Sequence, residues 1–355
     1  MHEEFVGTMP VQDRHRFDEA ALERYLAERI PGFAPPLAVE QFKGGQSNPT
    51  FLLSAGAQRF VLRRKPPGEL LPSAHAVDRE FRVISALHGT DVPVARPFVL
   101  CEDTTVIGTA FYVMEFIQGR VLWDPSMPGA TSAQRTAIFD DLNRVISALH
   151  SVDYAKVGLS DYGKPGNYLE RQIARWTKQY RASETERIEA FENLIAWLPE
   201  NIPPGDETSI VHGDYRLDNV IFHPTEPKLL AVLDWELSTL GHPVVDFAYH
   251  CMSWRLTPQE FRGMAGFDFA ALGIPSEAQY VEMYCRRTGR SSIPHWDYYM
   301  AFNMFRLAAI LQGIMGRVVA GTAASQHAID SGRRARPLAE AAWRQVEGIL
   351  KGVSP

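Results

Sequence analysis

The strongest constraint on this chain is a change of periodicity part-way along it. Before Gly119 the apolar residues come in short runs of strand length: Leu37 to Phe42, Thr50 to Ala55, Arg59 to Arg64, Val94 to Glu102 and Gly108 to Ile117. The turns Gly-Gly-Gln-Ser-Asn and Ala-Gly-Ala-Gln separate the first three, which predicts consecutive strands in a small antiparallel sheet. Two segments in this half keep helical spacing instead. Asp18 to Ile30 places Ala21, Leu22, Tyr25, Leu26 and Ile30 on one face behind an aspartate N-cap, and Pro31-Gly32 stops it; Ser73 to His88 carries Val77, Phe81 and Ile84 and closes at Gly89. After Gly119 the texture becomes that of long amphipathic helices: Thr131 to His150, Tyr168 to Tyr180, Arg187 to Trp197, and most of Val245 to Leu350. With 355 residues, such an α+β chain forms two domains or one large bilobed unit.

Only two compact β-like runs interrupt the helical half, and both end in chemistry. Between apolar flanks lies His212-Gly213-Asp214-Tyr215-Arg216-Leu217-Asp218-Asn219, a polar loop held by structure on either side; the later run Leu229 to Glu236 ends in Asp234. An Asp, an Asn and a second Asp in this order suit metal-assisted phosphoryl transfer from ATP. In a loose transition state the protein mainly positions groups and stabilises charge, so one carboxylate orients the acceptor hydroxyl and takes its proton. Asp214 fits that role. Mg²⁺ takes hard oxygen ligands and keeps several waters, so one amide oxygen and one carboxylate, Asn219 and Asp234, suffice beside the phosphates. The alternative is that Asp214 and Asn219 only cap a turn.

On these residues the chain resembles the aminoglycoside phosphotransferase and choline kinase branch of the protein-kinase-like fold, over nearly its whole length. The resemblance implies a bilobed fold: a nucleotide-binding lobe with a small antiparallel sheet and a leading helix over 1–118, a catalytic and acceptor-binding helical lobe over 119–355, and a hinge at about 115–119. It implies a phosphate-covering turn at Gly44 to Asn48, with Gly45, Ser47 and Asn48 near the phosphates, although an ordinary hairpin loop has the same composition. The family's phosphate-binding lysine is replaced here by Arg63, with Val61 on the same strand face to roof the adenine and Lys65 as the alternative cation. Glu80, on the helix that follows, is the implied carboxylate partner; Arg79 and Arg82 could instead balance it at the surface. Tyr112 to Gly119 resembles the hinge, where backbone groups of Glu115 and Ile117 would hydrogen-bond adenine. Asp246 resembles an aspartate that braces the catalytic loop, with His212 and Glu236 in supporting roles.

Charge and composition narrow the acceptor. The chain has 36 Lys and Arg against 42 Asp and Glu, a balance of −6, which argues against a nucleic-acid or anionic-membrane surface. Three scattered cysteines suggest neither a disulfide framework nor a zinc site, and no stretch has signal-peptide or membrane-spanning character, so a reducing cytoplasm is expected. From Arg286 to Lys351, however, ten basic residues face four acidic ones. That surplus favours an anionic acceptor over a polycationic antibiotic, unless the segment is merely a solvated basic face. Arg306 stands out within an apolar helix-like run, where a lone charge is costly; it could pair with Asp246 or Glu236, or reach the acceptor. Tyr162 to Ser183 and Val61 to Val83 are similar to the kinase-like domain fused to certain acyl-CoA dehydrogenases. This implies a hydroxyacid or hydroxyacyl-CoA acceptor and a link to acyl-CoA metabolism. The expectation is thus an ATP- and Mg²⁺-dependent kinase for a small hydroxylated anion; amino-alcohol, sugar or aminoglycoside kinases and a non-catalytic nucleotide-binding module are the alternatives.

Overall fold

The computed structural model describes residues 7–43, 48–66, 76–322 and 326–352. Gly45, Ser47 and Ser73 therefore lie outside the described residues. In chain order the elements are β1 (Thr8–Met9), α1 (Glu19–Arg29), β2 (Leu37–Phe42), β3 (Thr50–Ala55), β4 (Gln58–Arg64), α2 (Val77–Leu87), β5 (Pro97–Cys101), β6 (Phe111–Glu115), α3 (Ser132–Ser151), α4 (Tyr168–Ala182) and α5 (Glu189–Glu200). They continue with β7 (Ser209–Val211), β8 (Val220–Phe222), β9 (Leu229–Val232), β10 (Thr239–Gly241), α6 (Pro243–Arg255), α7 (Pro258–Phe261), α8 (Phe269–Leu272), α9 (Glu277–Thr288), α10 (Trp296–Val319), α11 (Gln326–Gly332) and α12 (Ala335–Lys351). The chain divides into two compact units. One contains residues 1–123, 155–160 and 218–238, the other 124–154, 161–217 and 239–355.

In the first unit six strands form one antiparallel sheet, ordered β1-β2-β3-β4-β6-β5. The five longer strands are those the alternating pattern predicts. β1 is too short for any periodicity to announce, and is held by pairing Thr8 and Met9 with Phe42 and Gln41. α1 begins where Asp18 accepts a hydrogen bond from the Ala21 amide, and buries Leu22 and Leu26 in a cluster with Phe51, Leu53, Phe60 and Leu62. Period-two alternation then sends Val61 and Arg63 to the opposite face of β4. α2 packs on β5 and β6 and turns Val77, Glu80, Val83, Ile84 and Leu87 inward. Glu80 is thus a carboxylate within an otherwise apolar stripe.

The antiparallel β8–β9 pair belongs to this unit, and Arg120 exchanges backbone hydrogen bonds of 2.9 Å with Phe222. Gly119 makes that approach possible. A Cβ there would lie 2.2 Å from the Ile221 methyl and 2.4 Å from the Phe222 carbonyl oxygen.

The second unit is helical around α10, which packs against α4, α6, α11 and α12. α6 is buried on all sides from Pro243 to Met252, so its polar residues must find internal partners. α3 starts at a capping box in which Thr131 and Gln134 satisfy each other's amides. The short β7–β10 pair, with Val211 opposite Thr239, carries the chain into the loop that contains Asp214. No helix among the described residues is long and apolar enough to cross a membrane.

Candidate functional site

The candidate residues fall into two groups, one in each unit. In the first unit, β4 and α2 bring Arg63 and Glu80 together. Arg63 Nε lies 2.8 Å from Glu80 Oε2, and the second arm of the guanidinium donates to Asp234 Oδ1 at 2.8 Å, with Glu236 Oε2 at 3.6 Å. The planar guanidinium presents its donors in a fixed fork, so two arms can serve two carboxylates at once. Glu80 is 1% exposed and also accepts from the Tyr112 hydroxyl at 3.0 Å and the Asn48 side-chain amide at 2.9 Å. Burial pushes the Glu80 carboxyl above its ordinary range and Asp234 adds to the push, while Arg63, Tyr112 and Asn48 oppose it. For Arg63 itself burial works against the charge, but Glu80, Tyr112, Asp234 and Glu236 together raise its pKa.

These contacts answer several expectations. Glu80 is not a surface residue balanced by Arg79 and Arg82; its cation is Arg63. Lys65 stands apart, 3.9 Å from Asp78. Asn48 is fully buried with its side chain on Glu80, so it supports the ion pair. Val61, 8% exposed, sits on the Arg63 face of β4 between Leu52 and Met114 in register. The Glu115 amide is committed to the Arg96 carbonyl at 2.8 Å. A base at the segment 115–117 would therefore meet other backbone groups there, such as the Glu115 carbonyl and the Ile117 amide.

Asn219 and Asp234 are brought together by the β8–β9 pair. Val220 faces Val232, and the Leu233 amide donates to the Asn219 carbonyl at 2.8 Å, so the two candidate ligands share the same end of the hairpin. Asp234 has φ +62°, a left-handed conformation that a non-glycine residue holds only at a cost. The donor set suits Mg²⁺: an amide oxygen and a carboxylate, both hard, the carboxylate of Asp234 being one of three that face the Arg63 guanidinium.

The second unit holds Asp214 in a loop fastened at every residue from 212 to 215. Asp246 on α6 accepts from the His212 amide at 2.7 Å and the Gly213 amide at 2.8 Å, and its Oδ2 lies 3.2 Å from His150 Nε2. The other ring nitrogen of His150 meets the Tyr284 hydroxyl at 2.8 Å. His212, fully buried, receives the Asp214 amide on Nδ1 at 3.2 Å, and the Tyr215 hydroxyl donates to the Leu142 carbonyl. Gly213 takes φ +84° to make the turn. The Asp214 carboxylate receives the Tyr249 hydroxyl on Oδ1 at 2.5 Å, with Arg216 Nε 3.1 Å from the same oxygen. Sequence reading missed Tyr249 and Arg216. For Tyr249 the available signal was its spacing, three residues after Asp246 on one helix face.

Arg306 does not pair with Asp246 or Glu236. It is 5% exposed, donates to the Gly213 carbonyl at 2.9 Å, and lies over the rings of Tyr249 at 5.2 Å and Trp176 at 5.7 Å. Its Nε is buried without a hydrogen-bond partner, and no carboxylate among the described residues comes within ion-pair distance. Much of the basic surplus from 286 to 351 is neutralised locally. Arg287 meets Asp140, Arg290 meets Glu207, Arg336 meets Glu186, and Arg344 meets Glu260. The surplus is therefore largely surface pairing, and Arg306 differs from it in being buried without a carboxylate.

Several known proteins share this architecture. Residues 38–302 match the profile of the phosphotransferase enzyme family. A crystal structure from Ralstonia eutropha JMP134, described as a candidate aminoglycoside phosphotransferase, is 61% identical over 94% of this chain and 99% of its own, with TM-score 0.88. An aminoglycoside phosphotransferase solved as a ternary complex with AMP-PNP and hygromycin B (16% identity, TM-score 0.60, covering 92% of this chain and 99% of that one) shares the fold. So does choline kinase from Cryptosporidium parvum (14%, 0.61, 94% and 97%). Mouse acyl-CoA dehydrogenase family member 10 is 47% identical over 95% of this chain, and rat family member 11 is 43% identical over 98%. The chain spans only 32% and 46% of those two relatives. With the profile running from β2 into α10, and a near full-length structural counterpart at 61% identity, the chain belongs to the phosphotransferase enzyme family and has its kinase-like fold.

Proposed function

We propose that this chain is an ATP- and Mg²⁺-dependent small-molecule kinase that transfers the γ-phosphoryl group to a hydroxyl of an anionic acceptor, a hydroxyacid or its CoA thioester. The observation that carries this reading is the Arg63 fork, a half-buried cation held between Glu80 and Asp234 at the end of the hairpin that also presents Asn219. In the proposed mechanism Asn219 and Asp234 hold the metal, which when bound supplies charge neutralisation to phosphate oxygens. Arg63, kept in place by Glu80, presents its guanidinium to the phosphates. Val61 lies against adenine, and backbone groups of Glu115 and Ile117 read its edge. Gly45 and Ser47 are assigned to the phosphates by sequence pattern alone. Asp214 accepts the proton of the acceptor hydroxyl as the new P–O bond to the γ-phosphorus forms and the bond from that phosphorus to the bridging oxygen breaks, releasing ADP; no free alkoxide need be generated.

The acceptor's charge rests on Arg306. A buried guanidinium with an unpartnered Nε, bonded to the residue before Asp214, fits a carboxylate or a thioester carbonyl on the acceptor. An aminoglycoside is a polycation and would be repelled there. The two acyl-CoA dehydrogenase relatives favour an acyl compound, and the neighbour solved with AMP-PNP favours ATP.

The test is a coupled assay of ATP consumption with Mg²⁺ against a panel of free hydroxyacids, hydroxyacyl-CoA thioesters, choline and kanamycin. Turnover confined to the first two groups is expected. Turnover confined to choline or kanamycin would overturn the anionic acceptor and leave the kinase reading standing. Absence of Mg²⁺-dependent nucleotide binding would overturn both.

A further inference from the structure

Helix α6 holds the catalytic loop twice over. Asp246 fastens the amides of His212 and Gly213, and one turn later, on the same face, Tyr249 reaches the carboxylate of Asp214 itself. We propose that Tyr249 is a positioning residue that sets the direction of the Asp214 carboxylate for proton transfer from the acceptor; this rests on the reading of Asp214 as the base.

Four observations converge on it. The contact is a charge-assisted O–H···O⁻ bond of 2.5 Å, the short end of the range for such pairs. The ring cannot swing away, because Tyr249 is 6% exposed and Arg306 lies over it while bonded to the Gly213 carbonyl. Burial, followed by the neighbouring Asp214 charge, raises the Tyr249 phenol well above its ordinary pKa, so it stays a donor across the working range. Finally, Asp214 follows a glycine at φ +84°, and its backbone alone does not fix the carboxylate plane. A base must sit within about 0.5 Å and 10–20° of its productive geometry, and the tyrosine provides a fixed anchor for one oxygen.

Tyr249→Phe keeps the ring and its packing on Arg306 and removes only the hydroxyl. With the acceptor that the panel identifies, kcat should fall about 10- to 100-fold, as expected for a misaligned base. KM for Mg·ATP and for the acceptor should stay within about twofold, and the melting temperature within about 2 °C. Asp214→Asn is measured alongside. If it is inactive while Tyr249→Phe keeps more than half of wild-type kcat, the positioning role is overturned and the base survives. If Asp214→Asn turns over normally, the base reading itself fails. A Tyr249→Phe loss that merely follows a lowered melting temperature would mark a structural residue and also overturn the role. A readout without any acceptor is the ¹⁹F resonance of 3-fluorotyrosine placed at 249: it should move on Asp214→Asn and hold still on Asp218→Asn. A resonance indifferent to Asp214→Asn overturns the proposal outright.

Discussion

Glu80 and Asp246 are both almost fully buried carboxylates, at 1% and 3% exposure, yet they are held in opposite regimes. Burial is the largest influence on each and pushes both upward. Glu80 stays raised because its one cation is shared: Arg63 also serves Asp234, faces Glu236, and Asp234 adds its own repulsion. Asp246 ends below its ordinary value because it has dedicated donors, the His150 ring and the amides of His212 and Gly213. The difference separates two kinds of polar burial. The Asp246 brace is internally satisfied, whereas on the proposed function the carboxylates around Arg63 keep negative charge in reserve for a cation that arrives with the substrate.

The largest expected effect cuts across this comparison. Asp214→Asn removes the proposed base without touching either buried carboxylate, so on that proposal phosphoryl transfer should fall by about 10²- to 10⁴-fold while Mg·ATP affinity, measured by calorimetry, is unchanged. A matching loss of nucleotide affinity would mean that the brace and the ligand site are not separable. Next comes Arg63→Met, which leaves Glu80 buried without its cation. Breaking such a pair from one side costs about 3–5 kcal/mol, read from denaturant midpoints, and nucleotide binding should weaken as well. A loss below about 1 kcal/mol would show that Tyr112 and Asn48 suffice for Glu80 and that the fork is not the keystone of the first unit.

Much of this is legible in the sequence alone. Five strands and the first five helices follow from period-two and period-3.6 patterns, because each buries one face against a continuous partner. The His212 to Asn219 loop and Asp234 stood out because polar residues between apolar runs have few structural uses. Tyr249 and the Asn48–Glu80 bond were hidden for a physical reason. Tyr249 lies in a helix buried on every side, where no periodicity distinguishes a catalytic neighbour from core, and Asn48 meets Glu80 only through pairing 32 residues apart. The charge surplus after Arg286 misled because sequence counts charges without seeing their partners: Glu186, Glu207 and Glu260 all lie outside that segment.

A smaller effect tests the buried arginine outside that pairing. Arg306→Met should raise the acceptor KM about tenfold and leave KM for ATP alone, equivalent to about 1.4 kcal/mol of acceptor binding. The change also removes the donor to the Gly213 carbonyl, so a stability loss of about 1–3 kcal/mol should accompany it. A melting temperature lowered by several degrees, with acceptor KM intact, would place Arg306 with the brace.

The smallest effect, and the most direct probe of the opening contrast, is the pH dependence of two isosteric variants. Asp246 has a folded pKa below its ordinary 3.8, so its contribution is present above that value and is lost as pH falls through the folded pKa. The stability advantage of wild type over Asp246→Asn should therefore shrink as pH is taken from about 6 toward 3. Glu80 has a folded pKa above its ordinary 4.5, so the folded state takes up a proton more readily than the unfolded one. Wild type should then gain relative to Glu80→Gln as pH falls through the folded pKa toward 4.5, and lose as it rises. Denaturant midpoints for the two pairs, measured from about pH 3 to about pH 7, should slope in opposite directions, each by an amount on the order of 1 kcal/mol. Parallel slopes would mean that Glu80 is as well served by its donors as Asp246, and that the first unit holds no negative charge in reserve for a metal.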